Sequence, residues 1–309
     1  MSCVLGIDTS NYTTSAALFD GETMLQEKLL LPVREGALGL KQSDAVFHHT
    51  QQLPQVVKKL FAQTESHPDA VSVSTRPREQ EGSYMPCFTV GAAMAETMAS
   101  AFSLPLTQCS HQHGHLAAAL YSCGKLDWMH RRFLAFHVSG GTTDALLVEP
   151  DVQRVFMPQL VASSLDLKAG QAVDRVGVML GLPFPAGREL DRLAQQSTAE
   201  FKIRPTLRDG SCSLSGIENQ CKKMQQQGEE PKNIAKFCID SVCAALDAMT
   251  ECLIQKYGNL PLVFAGGVMS NSIISARLGG KYGASFAAPE FSCDNAAGVA
   301  LLGWMKSFS

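Results

Sequence analysis

The chain has ten cysteines but no Cys-x-x-Cys pair. Cys238, Cys243 and Cys252 fall in a helical apolar pattern, so the set reads as reduced core thiols of a cytosolic protein rather than a disulfide frame. A large excess of charge of one sign is also missing, with 26 Lys and Arg against 29 Asp and Glu. A formal net charge of −3 lacks the strong basic footprint of a stand-alone nucleic-acid binder, so contact with nucleic acid would need a partner's help. No apolar run approaches the ~18 residues of a membrane span, and no basic stretch followed by an apolar segment opens the chain. The expectation is a soluble, cytoplasmic protein with no membrane partner. With 309 residues, 45% of them hydrophobic, one large domain or two lobes can be built.

What is present concentrates at Cys109-Ser-His-Gln-His-Gly-His-Leu-Ala-Ala-Ala-Leu120, which carries three of the eight histidines within five residues. The Leu-Ala-Ala-Ala-Leu tail continues this run into a helix. Positions i and i+4 share a helix face, so His111 and His115 can present two imidazoles to one metal ion, while His113 points away. Gly114 would let a ligand approach the backbone there. Two ligands rarely hold a metal tightly, so a polar helix start with solvated histidines stands beside this reading until a third ligand is found.

From the N-terminus, Cys3–Ser10 reads as a buried strand ending in a small polar turn, with Asp8 and Ser10 at the junction, and Tyr12–Phe19 as its hairpin partner. Phe133–Glu149 repeats the order strand, small polar turn, Thr-Thr, strand. Both pieces contain Thr-Thr-x-Ala-x-Leu, at Thr13–Leu18 and Thr142–Leu147, which suggests internal duplication. Between them lie a helical pattern from Asp44 to Phe61, a strand at Ala70–Thr75, a polar loop from Arg76 to Pro86 and a helix from Thr89 to Phe102, a β/α alternation.

The Val138-Ser-Gly-Gly-Thr-Thr143 turn can face backbone N–H groups toward an anion, although a bare hairpin uses Gly-Gly too. Ser163 to Gly181 reads as one helix, with Asp174 a surface carboxylate paired with Arg175 or Lys168 on composition alone. Gln195 to Glu230 reads as polar and loop-rich, and Asn233 to Lys256 as an amphipathic core helix. Leu262 to Asn271 is a strand broken by Gly266-Gly267 before a helix, an arrangement that sets a helix N-terminus against a nucleotide or phosphate. Asp294 reads as a helix-capping carboxylate.

Taken in order, these turns resemble the ATP-binding superfamily that contains actin, sugar kinases and heat-shock chaperones. Within it the chain looks like the TsaD family, tRNA threonylcarbamoyladenosine synthases once named O-sialoglycoprotein endopeptidases. The likeness is carried by Gly6-Ile-Asp-Thr-Ser10, His111-x-x-x-His115, Val138-Ser-Gly-Gly141, Ala169-Gly-x-Ala-x-Asp174, Pro185-x-Gly187, Ser213-x-Ser-Gly216, Gly266-Gly-Val268 with Asn271, and Cys293-Asp-Asn295. It implies an α/β, two-lobed, actin-like or sugar-kinase-like ATPase fold with a duplicated βββαβα-type core. The lobes would be 1–128 and 129–293, with a C-terminal helix at about 294–309 packing back on the first.

The resemblance also implies a metal-dependent acyltransferase that moves a threonylcarbamoyl group from its adenylate to N6 of the adenosine beside the tRNA anticodon. His111, His115 and Asp294 would hold one divalent iron or zinc. His137, Val138, Ser139, Gly140, Gly141, Asp174, Gly187, Gly266, Gly267 and Asn271 would bind the adenylate or an ATP-like nucleotide. No catalytic base is evident, with Asp8, Ser10 and His113 the candidates. Implied partners are the adenylate donor, tRNA reached with helper proteins, and paralogous or regulatory proteins.

The chain departs from the family pattern at several points. The first turn reads Thr9-Ser-Asn-Tyr-Thr-Thr14 where the family usually has Thr-Ser-Cys-Asp-Glu-Thr, and Ala45-Val-Phe-His-His49 replaces a motif ending Ser-Arg-x-His. Thr75-Arg-Pro-Arg-Glu-Gln-Glu81 replaces a Gly-Pro-Gly turn, His113 stands for a common Glu, and Thr142 for a common His. These changes imply a diverged paralogue. The His111–His115 run is also similar to the HypF and TobZ carbamoyltransferases, which act from carbamoyl-adenylate on another acceptor. A nucleotide-binding regulatory subunit without catalysis is the non-enzymatic alternative. A His-Glu-x-x-His protease is disfavoured because Gln112 occupies the place of the Glu.

Overall fold

The computed structural model describes residues 2–10, 12–32, 40–291 and 296–308. The chain divides into two compact units. Unit 1 comprises Met1–His130, Pro150–Pro158 and Glu290–Ser309, and unit 2 comprises Arg131–Glu149 and Gln159–Pro289.

Unit 1 is built on strands β1 (Val4–Ser10), β2 (Thr13–Phe19), β3 (Met24–Leu30), β4 (Ala70–Arg76) and β5 (Leu106–Ser110), ordered β3-β2-β1-β4-β5. Every residue of β1 is buried, as expected for a central strand covered on both faces. It pairs antiparallel with β2, bringing Asp8 opposite Ser15, and parallel with β4. Helix α1 (Gln42–Phe61) turns Ala45, His49, Leu53, Val56 and Leu60 inward. Helix α2 (Phe88–Phe102) buries the small residues Gly91, Ala95 and Ala99. Helix α3 (His111–Ser122) follows β5 directly.

Unit 2 repeats the plan. Strands β6 (Phe133–Val138), β7 (Thr143–Asp151) and β8 (Val155–Ser163) precede helices α4 (Ala169–Met179) and α5 (Gly187–Ala194), the short hairpin β9 (Thr206–Arg208) and β10 (Ser211–Ser213), and α6 (Ser215–Gln226). Then come α7 (Pro231–Tyr257), β11 (Leu262–Ala265), a 3-10 turn, α8 (Ser272–Tyr282) and β12 (Ser285–Phe286). The second sheet runs β12-β11-β6-β7-β8, with β6–β7 antiparallel and β6–β11 and β11–β12 parallel. Strand for strand this matches the first sheet, so the repeated Thr-Thr-x-Ala-x-Leu marks β2 and β7, the same position in both. Its core stacks Phe264 between Phe136, at 4.6 Å, and Phe286, at 5.2 Å. Fully burying such a ring stabilises by roughly 1.5–3 kcal/mol.

The last helix, α9 (Ala297–Phe308), belongs to unit 1. Its backbone reaches β1 at Gly6, where a Cβ would stand 2.5 Å from the Ala296 oxygen and the Ala300 nitrogen. It also crosses α3, where a Cβ on Gly298 would strike the Gly114 carbonyl. The hairpin tip Pro150–Pro158 is part of unit 1 as well.

Two local expectations change. The helix expected over 163–181 is α4 alone. Asp166 instead bends the preceding segment into a loop, accepting bonds from Leu167 N at 2.6 Å, Leu214 N at 2.7 Å and Ser215 Oγ at 2.6 Å. The stretch 195–230, expected to be loop-rich, contains β9, β10 and α6. This helix buries only Ile217 and Cys221, too narrow an apolar stripe to stand out in sequence.

Candidate active site

Strand β5 delivers the chain to α3, and Ser110 caps that helix by accepting from His113 N at 3.3 Å. One turn apart, His111 and His115 bring their Nε2 atoms to 2.7 Å. His111 Nδ1 lies 2.9 Å from Asp8 Oδ2. Asp8 is fully buried and accepts from Ser74 Oγ at 2.5 Å and Ser10 Oγ at 3.1 Å. A buried carboxylate accepts, so it places the His111 proton on Nδ1 and leaves Nε2 as a lone pair. Two imidazole nitrogens this close share a proton or a cation. A carboxylate behind a ligating histidine is also the arrangement that orients metal ligands.

The pair therefore fits two of the three expected metal ligands. Asp294, the third, lies outside the described residues. Among the described residues no group of three His, Cys, Asp or Glu side chains is arranged to hold a metal ion.

His113 is turned elsewhere. Its Nε2 sits 2.7 Å from the Phe156 carbonyl and its Nδ1 2.9 Å from Ser110 Oγ, and burial holds its pKa below the ordinary value. A neutral ring donating from Nε2 and accepting at Nδ1 satisfies both contacts, so His113 serves packing here. Gly114 does not open the backbone to a ligand, because Val299 Cγ2 lies 2.9 Å from where its Cβ would be. Its role is to let α9 pass. Ser10 is fixed on Asp8 rather than poised as a nucleophile.

The expected nucleotide residues all belong to unit 2. In the turn after β6, Ser139 N donates to Thr142 O at 2.7 Å and Thr142 N to Ser139 Oγ at 3.1 Å. Gly140 and Gly141 are exposed, and their N–H groups make no bond among the described residues. No described atom lies within 4 Å of a Cβ added at Gly140, Gly141 or Gly267. No packing among the described residues requires glycine at these positions, and each faces open space. Beneath the turn, Gly170 packs so closely that its Cβ would come 2.6 Å from Gly140 Cα. Gly266, at φ 100°, lies against the Val138 carbonyl with His137 Cδ2 3.0 Å from its Cβ position.

Asp174 accepts from Ala186 N at 2.8 Å, which sets it beside Gly187, and burial raises its pKa. The pairing with Arg175 or Lys168 expected from composition does not form: Arg175 bonds Glu218 at 3.1 Å and Lys168 the Ser164 carbonyl at 2.9 Å. Asn271 caps α8, its Oδ1 accepting from Ile273 N at 3.1 Å and Ile274 N at 3.0 Å, so only its amide nitrogen is left for a ligand. Sequence reasoning missed Ser74. The available signal was a hydroxyl in a strand buried on both sides, which must find a partner.

A family model described as tRNA N6-adenosine threonylcarbamoyltransferase, TsaD, matches residues 37–301. The chain belongs to the TsaD family. Among curated relatives, the tRNA N6-adenosine threonylcarbamoyltransferase of Bifidobacterium adolescentis is 32% identical, with 97% of this chain and 90% of the relative covered. That of Geobacter sulfurreducens is 31% identical with the same coverage of 97% and 90%. Among solved structures, full-length HypF in the phosphate- and nucleotide-bound form gives a TM-score of 0.61 at 15% identity, covering 98% of this chain and 54% of HypF. Component A of the Acidaminococcus fermentans (R)-2-hydroxyglutaryl-CoA dehydratase gives 0.60 at 16% identity with both chains fully covered, 100% and 100%. These two show the fold alone, and with the ROK hexokinase of Thermus thermophilus, TM-score 0.50, they bear out the actin-like, sugar-kinase-like expectation for this TsaD-family chain.

Proposed function

We propose that the chain transfers a threonylcarbamoyl group from threonylcarbamoyl-adenylate to N6 of the adenosine beside the anticodon of tRNA. The observation that carries this reading is the TsaD match over residues 37–301. The adenine amine attacks the acyl carbonyl carbon, a C–N bond forms, and the bond from that carbon to the phosphate oxygen breaks, releasing AMP.

In this reading the unit 2 turns hold the adenylate. The unbonded Gly140 and Gly141 N–H groups face its phosphate. Asp174 accepts from ribose hydroxyls, and Gly187, Gly267 and the Asn271 amide lie along the nucleoside. His111 and His115 with Asp294 would hold one divalent iron or zinc, which would supply Lewis-acid chemistry when bound. Asp8 fixes the His111 tautomer so that Nε2 offers its lone pair beside His115 Nε2. The acceleration comes from positioning and charge stabilisation, each contributing several kcal/mol in well-formed sites. No described helix is long and apolar enough to cross a membrane, and we place the reaction in the cytoplasm, with tRNA brought by helper proteins.

The HypF likeness keeps one second reading, carbamoyl transfer from carbamoyl-adenylate to another acceptor. Both readings are tested by mass spectrometry of tRNA nucleosides after incubation with threonine, bicarbonate, ATP, the adenylate-forming enzymes and this protein. Threonylcarbamoyladenosine should accumulate. Its absence, with consumption of carbamoyl-adenylate in a parallel assay, would favour the second reading, and inactivity in both would leave a nucleotide-binding subunit without catalysis.

A further inference from the structure

Two departures from the family pattern that are far apart in sequence come together within unit 1, on a part of α3 turned away from the His111–His115 pair. They are the segment that replaces the glycine turn, with Arg76 and Glu79, and His113. Glu79 is buried, its side chain only 5% exposed, and it ties Arg76 to Arg154. Arg76 Nη2 grips both its oxygens, at 2.8 Å for Oε2, and Arg154 Nε stands 3.5 Å from Oε2. His113 Nδ1 lies 3.8 Å from Oε1. These residues wall a cavity of about 270 Å³ whose floor is β5, the edge strand of the first sheet, and whose far side is Lys306 on α9.

The composition of the wall favours one kind of ligand. Three cations, Arg76, Arg154 and Lys306, face a single carboxylate, Glu79, an excess of two positive charges. Lys306 forms no ion pair among the described residues. Thr107, Gln108 and Gln153 add neutral donors. Arg154 is held toward the cavity by its turn: Asp151 Oδ1 accepts from Gln153 N at 2.9 Å and Arg154 N at 2.7 Å. The next residue, Val155, has φ 71°, a conformation a β-branched side chain adopts only when its surroundings impose it. An excess of two positive charges matches a dianion. A phosphomonoester carries close to two negative charges at neutral pH, whereas a carboxylate or a phosphodiester carries one.

We infer that this cavity binds the phosphate head of a small phosphomonoester, against Arg154, Lys306 and Arg76. The volume leaves room for a body of a few carbons beyond the head. The site is independent of the proposed transfer reaction and uses none of its residues.

Titration calorimetry of the intact protein tests it, with ribose 5-phosphate, inorganic phosphate and dimethyl phosphate as probes. Ribose 5-phosphate and inorganic phosphate should compete for one site, and the monoanionic dimethyl phosphate should bind about tenfold more weakly or worse. In the variant Arg154→Gln/Lys306→Gln, both of whose side chains are exposed enough to change without unfolding, affinity for the phosphomonoester should fall about tenfold or more. His111→Ala/His115→Ala should leave it within about twofold, which separates this site from the proposed active site. Tighter binding of ribose 5-phosphate than of phosphate would identify a phosphorylated metabolite as the occupant, and equal binding free phosphate. The inference is overturned by no binding, by binding that Arg154→Gln/Lys306→Gln leaves unchanged, or by dimethyl phosphate binding equally well, which would indicate a nucleic-acid backbone instead.

Discussion

The two units share one sheet plan, and three glycines in each separate packing from open space. In unit 1 the glycines at 6, 114 and 298 are closed by the chain's own atoms, which α9 and α3 press against them. In unit 2, Gly140, Gly141 and Gly267 look into space that no described atom occupies. In unit 1 a helix closes the small residues, and buried polar chemistry sits on the sheet, Asp8 behind His111. A glycine is thus informative about ligands only when packing gives it nothing to do.

Substitutions at one closed and one open glycine should break this contrast first. Gly298→Ala in unit 1 drives a methyl group into the Gly114 carbonyl, and a loss of about 1–3 kcal/mol in urea unfolding is expected. Gly141→Ala in unit 2 should unfold within about 0.5 kcal/mol of the parent while weakening AMP binding in calorimetry. Equal destabilisation by both would show that the open turns are structural after all.

The next largest effect is expected at Asp8. Asp8→Asn removes the acceptor that orients His111, so divalent metal affinity measured by chelator competition should fall by about 10–100-fold. Affinity for AMP, assigned to unit 2, should stay as it was.

Asp174 gives a pH-dependent counterpart. Burial raises its pKa in the folded protein, so its contribution to stability is present below the ordinary Asp value and lost as pH rises through the folded value. Asp174→Asn should therefore unfold at higher urea than the parent at pH 7, yet bind AMP more weakly. A less stable variant at pH 7 would contradict this assignment.

Asp166 has the opposite sign and the smallest effect. Burial pushes its carboxyl up, but hydrogen bonds from Ser215 Oγ and the Leu214, Leu167 and Ser215 N–H groups outweigh burial and hold it below the usual range. Its stabilisation is present above the ordinary Asp value of about 3.9 and lost as pH falls through the lower folded value. Asp166→Ala should cost about 1 kcal/mol at neutral pH, as loss of a helix-start cap does, and the gap to the parent should close in acid unfolding curves.

Much of this architecture was legible before any coordinates. β1, β2, α1, β4, α2 and the histidine helix were readable from periodicity, because a buried strand or a wide apolar stripe leaves a strong local pattern. The duplication showed in a six-residue echo that falls on β2 and β7. Less legible were α6, whose buried stripe is two residues wide, and the loop at Asp166, where one side chain's hydrogen bonds override helical propensity. In the candidate site, the i, i+4 spacing alone pointed to the His111–His115 pair. Its partner Asp8, 103 positions away, and the Ser74 hydroxyl are joined to it only by tertiary structure. The glycine turns were suggestive in sequence, but deciding between packing and ligand needs the empty volume around each Cβ. That the segment at Arg76 and Glu79 meets His113 and Arg154 could not be read from sequence, since only tertiary structure joins them.

The division of labour between the units is tested most directly by one variant measured two ways. His111→Ala/His115→Ala is purified and its metal content read by elemental mass spectrometry, while its AMP affinity is read by calorimetry. The parent should carry about one iron or zinc per chain, and the variant none, with AMP affinity unchanged. Retention of the metal by the variant, or loss of AMP binding together with it, would contradict the account.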